Sequence, residues 1–292
     1  MKKSLKPVEL FLALGVATSI AACSPTPTDG GEGGEASTPT TEETTDEDDR
    51  GVTASDTPTD EGGEGGEGGE GGEGGEGGEG GEGASSGNPD VDYMTALGLM
   101  KGHLMVAEEL MEAGEYEQAE PHIEHPVAEL YADVADRLPE YNVSDFKPQL
   151  DELTDLVKSV PEDAETTQAL DETMQTIDDA IAALPEEQRQ SPEFVLEVIN
   201  NLLRTAAEEY EAAIVDGQIV EAIEYQDSRG FVYYADMLFQ QVADQIDTSD
   251  REAIAATFEE LKTAWPSAIP PESPVKTPSE VFGLVSEVEL NS

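Results

Sequence analysis

The feature that most limits what this chain can fold into is a change of composition at Tyr93. From Ser24 to about Asp92 the chain is Gly, Glu, Thr, Pro, Ser and Asp with almost no apolar side chains, and the triplet Gly-Gly-Glu repeats without interruption from Gly62 to Glu82. A segment that cannot bury apolar surface cannot offset an ordering entropy of about 1–2 kcal/mol per residue. Residues 23–92 are therefore predicted to be a disordered acidic linker. As a flexible Gly-rich chain it would span on the order of 45 Å, and more under charge repulsion. In the Gly-Gly-Glu repeat the carboxylates are dispersed singly, without the clustered oxygens that a calcium site uses.

After Tyr93 apolar residues recur three and four apart, and no Val, Ile or Thr alternation is long enough to nucleate a sheet. The expected fold is all-α, a helical bundle. Met94, Leu97, Leu104, Ala107, Leu110 and Met111 form one stripe, broken at Gly114 and Glu115. A second helix from Tyr116 to Leu138 should bend at Pro121 and Pro126, because an interior proline removes a hydrogen bond and crowds the preceding turn. Further helices are expected over 143–160, 164–184, 192–215, 219–246 and 249–265. Prolines 266, 270, 271, 274 and 278 should stop any continuous helix in the C-terminal extension, 266–292. It is expected to wrap back over the bundle and dock Val281, Phe282, Leu284 and Val285 as a short final turn.

The bundle, 93–265, contains an internal echo. Ala107-Glu108-Glu109-Leu110 matches Ala207-Glu208-Glu209-Tyr210, Tyr131-Ala132-Asp133-Val134 matches Tyr234-Ala235-Asp236-Met237, and 156–161 matches 261–266. This predicts two similar helical-hairpin units, 93–161 and 192–266, joined by a linking helix.

At the amino terminus Lys2, Lys3 and Lys6 precede an apolar run from Leu10 to Ala22 that is too short to cross a bilayer. The run ends in Ile20-Ala21-Ala22-Cys23, which resembles the bacterial lipobox. That resemblance implies a signal peptide over 1–22, lipidation of Cys23, attachment to a membrane through the lipid, and placement in the cell envelope, on its periplasmic or outer-membrane side. Cys23 is the single cysteine of the chain and can form no internal disulfide. Acyl chains, at about 0.8 kcal/mol per buried methylene, would anchor the protein without a spanning helix.

Charge excludes one class of partner. Lys and Arg total 14 against 66 Asp and Glu, and those beyond Asp92 are scattered singly from Lys101 to Lys276. Nucleic acid binding needs clustered cations facing phosphate. Such an acidic surface keeps an exported protein soluble and raises the local cation concentration.

All three histidines, His103, His122 and His125, fall in one predicted hairpin. If its turn centres on Gly114, His103 and His125 lie equally far from it and therefore level, about 16 Å along their helices. His122 and His125 are one turn apart on one face. Three imidazoles could thus converge on one metal, with Glu124 or Glu129 orienting a ring or completing the shell. Imidazole with carboxylate suits iron or zinc, whereas Met100 and Met105 beside His103 would suit copper. The competing reading makes these residues ordinary core side chains.

The duplicated units, the histidine on the first helix and the export signal together resemble the imelysin-type periplasmic proteins of bacterial iron uptake. That resemblance implies iron as ligand and a metal-transport partner. In the family a Gly-x-His-x-x-Glu motif carries the metal site; Lys101 stands here at its Gly position and Val106 at its Glu position, so only His103 is carried over. No Gly-x-Ser-x-Gly turn, His-Glu-x-x-His pair or phosphate-binding glycine loop is present, and a non-enzymatic role is expected. The alternative to metal binding is a helical scaffold that holds a partner through Phe231, Tyr233, Tyr234, Phe239 and the tail from Trp265 to Leu290.

Overall fold

The computed structural model describes residues 86–292. The lipobox, Cys23 and nearly all of the expected linker lie outside the described residues. Helix α1, Pro89–Glu112, begins a few residues earlier than the composition break suggests. Asn88 caps it by accepting from the Asp90 N–H, Pro89 occupies the first turn where no amide hydrogen is needed, and Asp90 and Asp92 complement the helix dipole. α1 is buried on almost every face and packs against α2 (Tyr116–His125), α5 (Ala164–Ala182), α7 (Pro192–Ala212) and α8 (Ala222–Val242).

The turn from α1 to α2 is a Schellman closure. Gly114 adopts φ +80°, its N–H donates to Met111 O, and the Glu115 N–H donates to Leu110 O at 2.8 Å. α2 contains Pro121 and ends at His125, where Pro126–Leu130 forms a π-helical turn before α3, Tyr131–Ala135. The expected bend is therefore a local change of helical pitch, and a 3₁₀ turn at Leu138–Tyr141 closes the segment. α4 (Lys147–Ser159) packs on α2 and α5, and α6 (Glu186–Arg189) is a single turn leading into α7.

Ile214, Val215 and Ile219, expected at the ends of two helices, instead belong to a small hairpin between α7 and α8. Ile214–Val215 pairs antiparallel with Gln218–Ile219. Asp216 at φ 53° and Gly217 at φ 75° supply the two left-handed residues that a type I′ turn requires. α9 (Thr248–Lys262) follows α8.

The C-terminal extension is more than a final turn. α10, Pro278–Leu290, opens with a capping box between Thr277 and Glu280 and packs Val281, Val285 and Val288 against α7 and α9. The Pro-rich stretch before it is tied down: the Trp265 indole donates to Ser228 Oγ at 2.7 Å, Arg229 donates to the Trp265 carbonyl at 2.8 Å, and the Tyr210 hydroxyl donates to Lys276 O at 2.8 Å. Phe231, Tyr234 and Phe239 are buried core residues and Tyr233 lies beneath the Arg229 guanidinium, so this cluster offers no ready surface to a partner. Among the described residues no helix is long and apolar enough to cross a membrane.

Candidate metal centre

The site begins where α1 crosses α8. Gly102 on α1 and Gly230 on α8 face each other so tightly that a β-carbon on Gly230 would overlap the Gly102 carbonyl. With no side chains to hold them apart, the two backbones touch, and the next residue along α1, His103, reaches α8 across a short gap. Its Nδ1 lies 2.6 Å from Oδ1 of Asp227. The π turn leaves α2 packed along α1, and from there His122 Nδ1 reaches the same Oδ1, also at 2.6 Å. His125, one turn on, stands with Nδ1 3.5 Å from Asp227 Oδ2. The ring of His103 is 5.1 Å from that of His125 and 6.3 Å from that of His122, and Phe231 packs edge-on against it at 5.0 Å.

Sequence spacing thus brings all three histidines to one point, around a carboxylate contributed by the other half of the chain. Among the described residues, His103, His122 and Asp227 form a group of buried ligand atoms within 4.8 Å of one another. Glu124 is not part of it: two residues from His122 is about 200° around a helix, and its carboxylate pairs instead with Lys158. Glu129 lies 3.9 Å from His125 Nε2, on the solvent side. Met100 is buried in the core and Met105 packs partly buried against it. Of the imelysin-type motif positions, Lys101 pairs with Asp178 and Val106 is core, which leaves His103 alone at the site.

Burial and charge oppose each other here. Full burial alone would raise the pKa of Asp227, but His103 and His122 against it hold the carboxyl well below its usual value. Burial alone would lower that of His125, yet Asp227 and Glu129 raise it, with His103 opposing. A buried carboxylate is tolerated only with such partners.

A relay fixes one ring. Glu115 Oε2 accepts from Gln118 Nε2 at 2.8 Å, Gln118 Oε1 accepts from Gln226 Nε2 at 3.0 Å, and Gln226 Oε1 lies 2.9 Å from His122 Nε2. A carboxylate can only accept, so the direction of the whole chain is set, and His122 Nε2 must carry the proton. Nδ1 of the neutral ring is then a lone pair aimed at a carboxylate oxygen. That contact is favourable only with a second proton on the ring or with a cation between the two atoms. An outer hydrogen bond that fixes the tautomer of a coordinating imidazole is a recurring feature of metal sites. Cis donors about 2.1 Å from one ion stand about 3.0 Å apart; the 2.6 Å contacts need to open by only a few tenths of an ångström to admit one.

Fold and donor set together describe a helical bundle in which two buried imidazoles, those of His103 and His122, meet one buried carboxylate, with the half-buried His125 beside them. Residues 185–292 match the family model described as the iron permease-associated 4-helix bundle domain. The four long helices of that segment are α7 to α10, and it contains Asp227, whereas the three histidines precede it. No curated protein and no solved structure shows significant similarity to the chain.

Proposed function

We propose that this chain is an extracytoplasmic lipoprotein, anchored through Cys23, that binds iron between His103, His122 and Asp227 and passes it to a membrane iron permease. The observation that carries the reading is Asp227 Oδ1, buried and met by two imidazole nitrogens at 2.6 Å each. Imidazole with carboxylate fits iron and zinc better than copper(I), which prefers sulfur. Iron is favoured over zinc by the family match, whose description also supports a permease as partner. The protein is a carrier rather than an enzyme in this reading.

Calorimetry on the full chain tests it, with Fe(II) under nitrogen and Zn(II) and Cu(II) as comparisons. Fe(II) should bind, and Asp227→Asn and His103→Gln, checked for helicity by circular dichroism, should each weaken binding at least tenfold. Equal Fe(II) binding in the wild type and both folded variants would remove the metal reading.

A further inference from the structure

His103 and His122 both address Oδ1 of Asp227, whereas His125 meets the other oxygen, Oδ2, at 3.5 Å. Nδ1 of His125 is buried and makes no hydrogen bond, which is uncommon for a buried polar atom and calls for an explanation. A place among the resident ligands does not supply one, because the ligand atoms that converge among the described residues are those of His103, His122 and Asp227. Exposure separates the three rings. The side chains of His103 and His122 are closed to solvent and that of Asp227 is 3 % exposed, but that of His125 is 24 % exposed. Its far nitrogen, Nε2, stands 3.9 Å from Glu129 on the solvent side. His125 therefore reaches from the surface to the buried carboxylate, and it directly precedes the π turn Pro126–Leu130, a distortion that often accompanies function.

We propose that His125 is the exchange ligand of the centre: it takes the incoming ion between its Nδ1 and Asp227 Oδ2 and gives it up to Oδ1, where His103 and His122 hold it. A buried ion without a partner is costly, so an ion that sheds its waters on the way in needs a donor at each step. The 3.5 Å between Nδ1 and Oδ2 is wide enough for both to share one ion about 2.1 Å from each. Passage from Oδ2 to Oδ1 keeps the same carboxylate on the ion throughout, and unloading reverses the steps. A group that touches the ion only in passage changes the rates of loading and release by the same factor and leaves the affinity alone. The inference rests on the reading of the inner centre as a metal site, and it supplies the exchange that a carrier needs.

The test mixes the full chain, loaded with Fe(II) under nitrogen, with a chromogenic Fe(II) chelator at concentrations where the release rate no longer depends on the chelator; calorimetry gives the affinity. His125→Leu and His125→Gln are compared with the wild type, and circular dichroism confirms that each is folded. His125→Leu, similar in size but without a donor, should release Fe(II) about tenfold more slowly at unchanged affinity. His125→Gln, which keeps an oxygen donor, should recover part of the rate. Release from His125→Leu at or above the wild-type rate would overturn the proposal. So would equal slowing in both variants, which marks a steric effect, or weakened affinity in both, which marks a resident ligand. Each of these outcomes leaves the inner centre standing, whereas a wild type that binds no Fe(II) would overturn both readings.

Discussion

Gly102 and Gly230 meet backbone to backbone where α1 crosses α8, and this contact sets the distance across which His103 reaches Asp227. A β-carbon at Gly230 meets the carbonyl of Gly102, which cannot swing aside, whereas one at Gly102 meets chiefly the Phe231 ring. Gly230→Ala should therefore be the more damaging. Alanine adds about 1 kcal/mol of helix propensity, but forcing two packed helices apart costs about 1–3 kcal/mol, so a net loss is expected. Gly283 on α10 has nothing within 4 Å of the position of its β-carbon, and Gly283→Ala should stabilise by about 0.5–1 kcal/mol. Urea unfolding of the three variants checks the order, and Gly230→Ala should also weaken Fe(II) binding.

The helices were largely legible because apolar spacing alone determines which face is buried, and burial of that face is what holds each helix. The His103, His122 and His125 cluster was legible for a related reason: equal distances from the Gly114 turn make positions on two antiparallel helices level. Asp227 was not. One carboxylate among 66 acidic residues carries no signal of its own, and its contact with His103 joins residues 124 apart. The available hint was Gly230, a helix-interior glycine three residues on, which marks a close backbone approach. The Asp216-Gly217 turn was equally visible as a dipeptide, but helical periodicity on both sides of it masked the hairpin. Glu124 is near His122 in sequence, but two residues along a helix turn its side chain to the opposite face, toward Lys158.

Alkaline stability should reflect a second cluster. The Tyr93 ring stacks on Tyr141 at 4.7 Å, and burial pushes both phenols up to about 12; Tyr141 adds to the shift at Tyr93, and an Asp90 hydrogen bond adds to that at Tyr141. An unfolded phenol ionises near its ordinary value of about 10. The folded state keeps the protons longer, so this contribution is complete below pH 10 and is lost as pH rises from 10 to about 12. Tyrosinate absorbance should rise later in folded than in urea-unfolded protein, and Tyr141→Phe should narrow the gap. Coincident titration curves would count against this account.

The proposed attachment through Cys23 makes a separate prediction. The wild-type chain, expressed in a lipoprotein-processing host, should sediment with membranes, partition into detergent, and carry the mass of a diacylglyceryl group and an amide-linked acyl chain. Cys23→Ser should move to the soluble fraction with its Fe(II) affinity unchanged, because the proposed ligands His103, His122 and Asp227 lie in the bundle. Soluble wild-type protein of unmodified mass would rule out the anchor.

The relay through Gln118 and Gln226 makes the most specific prediction. Gln226 is buried and touches no candidate ligand atom directly; it accepts from His122 Nε2 and passes the constraint to Glu115. In Gln226→Met the volume is nearly kept, but the Nε2–H loses its acceptor and the ring can take the other tautomer, with a hydrogen on Nδ1 where a metal would bind. Losing an outer partner of this kind typically costs about 10–100-fold in metal affinity. Fe(II) binding to Gln226→Met should fall by that factor while helicity persists. Gln226→Glu, whose carboxylate accepts from Nε2, should recover part of the loss. If both variants bind Fe(II) as the wild type does, the relay does not set the tautomer, and the inward lone pair on His122 loses its support.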